Sequence, residues 1–243
     1  MNKSSKKNTF GTYEDLASEY YDSIRHPTCA NFREGSKIIL SKFLDDFSLE
    51  NRKLCEVGAG KSLIAELLEN TNVSPNCFFI TDLSFSMLAY SKQWNSHGAF
   101  LVVADAIKLP FPSNSMEIVI SSLGDPYNTS LLWVEIFRIL EPNGTFLFTT
   151  PSYEWATSFR RKDSGEAFRL AEFELSNGKH IWVPSWIYSI NEQLKRIKKE
   201  GFFSQGVISV PLSRLKGKRI SPKLLNKNGS DINVVTGYVL SKA

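Results

Sequence analysis

The sequence is poor in the residues that build metal centres and disulfide frameworks. Its 243 residues include three cysteines, three histidines and three methionines. Cys29, Cys55 and Cys77 are odd in number, match no metal-ligand spacing, and two of them sit inside apolar runs. They read as free buried thiols of a reducing compartment, and no metal site is expected. No apolar run approaches the roughly 18 residues that a membrane span needs. The polar, basic start at residues 1–8 leads into no apolar signal core. A cytoplasmic chain with no membrane partner is the expectation. Charge of one sign is scarce as well: the net +4 falls short of a nucleic-acid-binding signature. There is no internal repeat and no low-complexity tract. What is present is ordinary for a globular chain, 42% hydrophobic and 22% charged, and long enough to bury about 70% of its extended surface.

Residues 1–10 read as a frayed tail. From Tyr13 to Phe47 apolar positions recur at helical spacing, with Pro27 interrupting the middle. A rhythm then begins. Strands are expected at Leu54–Val57, Cys77–Thr81, Phe100–Ala104, Met116–Ser122 and Thr145–Thr150, with helices between them. Such alternation predicts a parallel sheet covered on both faces. After Pro151 the rhythm breaks. A short helix at 159–162, a strand over 167–175, the turn pair Asn177-Gly178 and a strand at 180–183 predict a hairpin excursion. A helix at 190–200 ended by Gly201, a strand at 207–211, a basic segment over 213–229 and a strand at 232–240 close the chain.

The informative stretch is Glu56-Val57-Gly58-Ala59-Gly60-Lys61-Ser62, a strand end, a glycine turn and a helix start. In an α/β protein that junction receives a nucleotide-like ligand. A Walker A loop would need a glycine where Cys55 stands, and the dinucleotide fingerprint would need one at Leu63. Glu56 is also ill suited to a pyrophosphate. S-adenosylmethionine has no phosphate and carries an ammonium and a sulfonium, so an acid at the strand end helps. Asp82 ends the next strand, where a carboxylate accepts from ribose hydroxyls. Asp105 ends the third, where it can accept from the adenine amine. Taken singly, Asp82 also suits a helix cap or turn, and Asp105 a loop.

Four ordered motifs then carry a resemblance. Glu56-Val57-Gly58-Ala59-Gly60, Thr81-Asp82-Leu83-Ser84-Phe85-Ser86-Met87-Leu88, Asp105-Ala106 followed by Leu109-Pro110-Phe111-Pro112, and Arg138-Ile139-Leu140-Glu141-Pro142-Asn143-Gly144 run in sequence. Over residues 50–150 the chain resembles the class I S-adenosylmethionine-dependent methyltransferases of the small-molecule type, the type 11-like group. The family's third glycine is Ser62 here. The resemblance implies a Rossmann-like α/β fold: a seven-stranded, mostly parallel sheet, helices on both faces, and an antiparallel last strand inserted beside the fifth. It implies S-adenosyl-L-methionine as cofactor, held by Tyr21, Glu56, Gly58, Ala59, Gly60, Asp82, Leu83, Met87, Asp105, Ala106, Ser121, Ser122 and Leu123. It divides the chain into an N-terminal helical cap or lid, 1–48, and a core, 49–243, with a hairpin insertion at about 154–186.

The acceptor should approach past the fourth strand, beside Asp125-Pro126-Tyr127-Asn128. Asp125 and Tyr127 are the catalytic candidates there, with Asn128 beside them. His26 is a candidate base because its pKa lies near neutrality, and His180 a candidate for the substrate side. Trp155, Phe159, Phe168, Phe173, Trp182 and Trp186 crowd the hairpin and suit an aromatic or apolar ligand, or simple packing. Arg160-Arg161-Lys162 and Arg214, Lys216, Lys218, Arg219, Lys223 and Lys227 could steer an anionic substrate. The expected reaction is methyl transfer to O, N or C of a small molecule. The alternatives are a nucleic-acid base methyltransferase using the Asp125–Asn128 segment and the basic loop, or a non-catalytic cofactor-binding scaffold.

Overall fold

The computed structural model describes residues 11–69, 71, 75–159, 169–215, 219–225 and 230–243. The tail at 1–10, Arg160-Arg161-Lys162, Phe168, Lys216, Lys218 and Lys227 lie outside the described residues.

Nine strands are described: β1 Lys53–Val57, β2 Cys77–Asp82, β3 Ala99–Val103, β4 Met116–Ser121, β5 Leu140–Pro151, β6 Leu170–Glu174, β7 His180–Pro184, β8 Phe202–Pro211 and β9 Asn233–Lys242. Seven form one sheet in the order β3-β2-β1-β4-β5-β9-β8. The first five pair in parallel, and β9 runs antiparallel between β5 and β8. The expected sheet and its inserted antiparallel strand are therefore observed.

The chain alternates strictly across this sheet, because successive strand side chains point to opposite faces. Leu54, Ile118, Ile120, Leu147 and Val239 face one core; Cys55, Val57, Val119, Phe146, Phe148 and Leu240 face the other. The first core is covered by α2 (Pro27–Asp46) and α3 (Leu63–Leu68), through Phe32, Ile39, Phe43 and Ile64. The second is covered by α5 (Ser130–Ile139) and α7 (Ile190–Lys199). Leu132, Trp133, Ile136 and Ile139 of α5 are all buried there, each contributing about 2 kcal/mol of transfer free energy.

Several boundaries differ from the sequence expectation: β5 starts at Leu140 instead of Thr145, and β8 at Phe202 instead of Val207. Pro27 opens α2 instead of kinking it, since a missing N–H costs nothing in the first turn. The short helix α1 covers Tyr13–Leu16, closed by a reciprocal Thr12–Asp15 cap. The helix after Ser84 is α-helical over Phe85–Leu88 (α4) and then tightens to 3-10 turns through His97, ending on left-handed Gly98. Helix α6 spans Tyr153–Phe159.

Strands β6 and β7 form a separate two-stranded antiparallel sheet, turned at Gly178 with φ +77°. Leu16 packs on Ile181 and Val183 of this hairpin, with Tyr13, Tyr20 and Phe173 around them. Gly11 N–H donates to the Trp182 carbonyl at 3.0 Å, and Trp186 N–H to the Asp125 carbonyl at 2.7 Å. The N-terminal segment and the hairpin together roof the carboxyl ends of the parallel strands, where an open α/β sheet receives ligands. Among the described residues, no helix is long and apolar enough to cross a membrane.

Candidate active site

The site begins at the glycine turn after β1. Gly58 and Gly60 have φ of +62° and +48°, a region that L side chains rarely enter. Space is as limiting as conformation. A Cβ on Gly58 would lie 2.0 Å from the Tyr127 hydroxyl, and one on Gly60 2.2 Å from the Tyr21 hydroxyl. The Tyr127 hydroxyl donates to the Val57 carbonyl at 2.9 Å and meets Ser121 Oγ at 2.9 Å. The Tyr21 hydroxyl accepts from Lys61 N–H at 2.7 Å. Two tyrosines from distant segments therefore lie directly on the loop.

The three strand-end acids separate in role. Glu56 is fully buried and shares the face of Leu54, toward α2 and α3. It accepts from the Ser62 hydroxyl and from Leu63 N–H at 3.2 Å, at the start of α3. Burial pushes its pKa up to about 7, against the pull of those two donors. Its carboxylate thus braces the junction of the glycine turn and α3, and its side chain is not among the residues lining the cavity. Asp82 does line the cavity. It accepts from Gly60 N–H and Ser84 N–H, each at 2.8 Å, and burial raises its pKa. Asp105 also lines the cavity and accepts from Ile107 N–H at 3.1 Å.

The cavity has a volume of about 560 Å³. Of the expected cofactor residues, Tyr21, Gly58, Ala59, Asp82, Leu83, Met87, Asp105, Ala106, Ser122 and Leu123 line it, whereas Glu56, Gly60 and Ser121 stand behind the wall. Ser122 Oγ is buried with no hydrogen-bond partner among the described residues. Leu123 holds φ +56°, costly for a side-chain-bearing residue. It is kept there by Thr149, whose hydroxyl accepts from Leu123 N–H at 2.9 Å and in turn meets Ser36 of α2 at 2.7 Å.

The catalytic candidates divide differently from expectation. Tyr127 lines the cavity. Asp125 lies behind it, its carboxylate accepting from the Ser185 hydroxyl. Asn128 is wholly buried: its amide donates to the Trp186 carbonyl at 3.0 Å and Gln193 Oε1 at 2.7 Å, and its oxygen accepts from Trp133 Nε1 at 3.1 Å. It holds loops together and does not face a ligand. His26 sits at the N-terminal end of α2, off the cavity and without a side-chain capping bond, its ring edge-on to Phe173 at 5.7 Å, and burial lowers its pKa. His180 pairs with Glu172 at 2.9 Å on the hairpin, away from the cavity.

Sequence reasoning missed Arg33, the one cation among the lining residues described. Its guanidinium donates to the Lys61 carbonyl at 2.7 Å, pairs with Glu66 at 2.9 Å and lies 5.4 Å from the Tyr21 ring centre. Nothing in the α2 pattern separates it from the helix's other charges. It missed Glu14 as well, which accepts from Ser84 Oγ at 2.5 Å and from Ser86, tying α1 to α4. Lys61-Ser62, so suggestive of a phosphate loop, is spent internally: Lys61 pairs with Glu66 at 3.1 Å and Ser62 caps α3.

Comparison with known proteins agrees with this geometry. A family model described as a methyltransferase domain matches residues 55–148. The chain is 29% identical over 254 aligned positions to a malonyl-[acyl-carrier protein] O-methyltransferase of Marinomonas sp., covering 94% of this chain and 91% of that protein. It is 31% identical over 131 positions to the mitochondrial arginine-hydroxylase NDUFAF5 of Danio rerio, covering 51% of this chain and 36% of that one. Among solved structures, an S-adenosylmethionine-dependent methyltransferase of Mesorhizobium loti superposes with a TM-score of 0.61 at 15% identity, covering 86% of this chain and 100% of that one.

Proposed function

We propose that the chain is a class I S-adenosylmethionine-dependent methyltransferase, a reading that its methyltransferase-domain match, its O-methyltransferase relative and its fold support, and that it methylates a carboxylate oxygen of a small-molecule acid. The cofactor fits the residues present. Gly58 and Ala59 of the turn line the cavity, Ser122 lines it with a buried hydroxyl that has no partner among the described residues, and acids outnumber cations along its wall, as a cationic ligand favours. Asp82 would hold the ribose hydroxyls and Asp105 the adenine amine. Arg33 would hold the methionine carboxylate, as the one lining cation. When bound, the cofactor supplies an electrophilic sulfonium methyl, and on transfer the carbon–sulfur electron pair stays on sulfur.

The observation that carries the acceptor class is the lack of a free base on the cavity wall among the described residues: Glu14, Asp82 and Asp105 line it, and each carboxylate already accepts hydrogen bonds from the chain itself. No histidine, lysine or cysteine lines it among the described residues. Burial raises the phenol pKa values of Tyr13, Tyr20, Tyr21 and Tyr127, so these groups stay neutral donors. Hydrogen bonds from Ser84 and Ser86 lower that of Glu14. An alcohol or a protonated amine would need to lose a proton to a base, whereas a carboxylate arrives ionised, with a pKa near 4. The name of the Marinomonas relative, an O-methyltransferase, supports the same class. The chain's own work is then positioning and exclusion of water. Of the expected cap, 1–48, and hairpin insertion, about 154–186, the described residues 11–26 and 169–184 would cover the site, while α2 belongs to the core of 49–243. The Glu14–Ser84 bond, the Tyr90 hydroxyl on the Ala17 carbonyl at 2.8 Å and the Gly11–Trp182 bond support a closed roof.

Methyl-labelled cofactor incubated with short carboxylic acids and their half-thioesters, beside amines and alcohols, tests the reading. The expected product is an ester that mild base releases as labelled methanol. Base-stable label, or label in added RNA or DNA, would refute it.

A further inference from the structure

We propose that Tyr13 is the residue that recognises the acceptor, its hydroxyl donating to a carboxylate oxygen. This rests on the carboxylate reading above. Tyrosines surround the cavity, and most of their hydroxyls are already engaged. Tyr21 accepts from Lys61 N–H, Tyr127 donates to the Val57 carbonyl, and Tyr90 donates to the Ala17 carbonyl. Tyr20 meets the Cys29 thiol. Tyr13 also lines the cavity, and its hydroxyl has no hydrogen bond to any described residue.

Its position is fixed without that hydroxyl. The Thr12–Asp15 capping box sets the start of α1, and the ring stands edge-on to Tyr20 at 5.6 Å. The same ring packs beside Leu16, Ile181 and Val183. The ionisable neighbours of the phenol oxygen are Asp125, Cys29, Tyr127 and Asp82. It shares the cavity with the acid at the end of β2 and with Pro126 and Tyr127 of the turn after β4, where an acceptor would approach. A neutral phenol held in a part-buried wall is a donor that an anionic oxygen uses well, because charge-assisted bonds are about twice as strong as neutral ones. The surrounding acids have a second consequence: an anionic acceptor is repelled until a cation occupies the cofactor side.

The test is calorimetric and needs no turnover. The malonyl thioester of N-acetylcysteamine is titrated into protein saturated with sinefungin, a cofactor analogue bearing an ammonium near the sulfonium position. Tyr13→Phe is expected to weaken its binding about 10- to 100-fold, the range for a bond to a charged group. Tyr20→Phe, which removes the neighbouring hydroxyl beside the Cys29 thiol, should change it by less than about threefold. Sinefungin affinity should be the same in all three proteins. Equal thioester affinity in wild type and Tyr13→Phe overturns the assignment of Tyr13 alone. Loss of sinefungin affinity in Tyr13→Phe overturns it too, by moving the hydroxyl to the cofactor. A wild-type protein that binds sinefungin but not the thioester overturns the carboxylate reading and the Tyr13 assignment with it.

Discussion

Replacing Glu56 by glutamine separates a structural acid from a ligand-binding one. The carboxyl is fully buried under α2 and α3, and its pKa rises from the ordinary 4.5 to about 7. A raised carboxyl pKa means that the folded state keeps a proton which the unfolded chain has lost. Between pH 4.5 and 7 the folded form binds more protons, so wild-type stability falls as pH rises, and flattens above about 7. At 1.36 kcal/mol per pH unit the loss across this window is about 3 kcal/mol. Glutamine has no charge to bury. The stability difference, Glu56→Gln minus wild type, should therefore grow by about 3 kcal/mol between pH 4.5 and pH 8. Asp82 and His26 titrate in both proteins and cancel from that difference. Urea unfolding followed by circular dichroism over this pH series measures it. Calorimetry with S-adenosylmethionine supplies the other arm, where the affinity should stay within about threefold, since the side chain does not reach the cavity. Stability curves that run parallel with pH would refute the buried-charge argument. A tenfold loss of cofactor affinity would return the carboxylate to the ligand.

Other perturbations follow from the same geometry. Tyr127→Phe leaves the Val57 carbonyl without its donor, and should cost about 1–3 kcal/mol of stability in thermal unfolding; a pH-rate profile that changes shape would instead make the phenol an acid–base group. Asn128→Leu breaks the bonds to Trp186, Gln193 and Trp133 in a buried position, and should cost more than about 3 kcal/mol, read by urea titration, without altering which acceptors are used. Arg33→Met should weaken S-adenosylmethionine about 10- to 100-fold in calorimetry and weaken S-adenosylhomocysteine equally, because both carry the carboxylate. Glu14→Gln weakens the tie to Ser84 and Ser86, and should speed hydrogen exchange of residues 11–17 while leaving that of β1 and β4 unchanged.

The fold was legible in the sequence because its signals are local and repeated. Strand alternation, the Gly201 helix end and the Asn177-Gly178 turn each need only a few residues to be recognised. The mostly parallel sheet and its inserted antiparallel strand followed from the resemblance that four ordered motifs carry. Residues read from strand ends, Asp82 and Asp105, do line the cavity. The site was not legible where the decisive partner comes from elsewhere in the chain. Asn128 looks like a ligand-facing residue until Gln193 and Trp186 are brought to it. Asp125 is covered by Ser185 from beyond the hairpin. Arg33 lies on α2, 28 residues before the Lys61 carbonyl it holds. Glu56 was open to a better reading, because the period-2 rule puts it on the face of Leu54 and therefore under a helix.

The glycines of the turn show how one feature serves both the folded chain and its ligand. A short loop after β1 is ordinarily credited to the ligand, whose atoms must come close to the backbone. Here the space above Gly58 and Gly60 is first claimed by the chain's own hydroxyls, from Tyr127 and Tyr21. Those tyrosines come from the turn after β4 and from the segment ahead of α2, the two regions that also wall the cavity. Loop conformation is therefore coupled to the roof before any ligand arrives. An alanine at Gly58 or Gly60 would displace a tyrosine and disturb that wall, so loss of binding in such a variant cannot be assigned to the loop alone. Side chains that line the cavity without supporting the loop, such as Asp105 and Tyr13, are the cleaner probes of what the cavity holds.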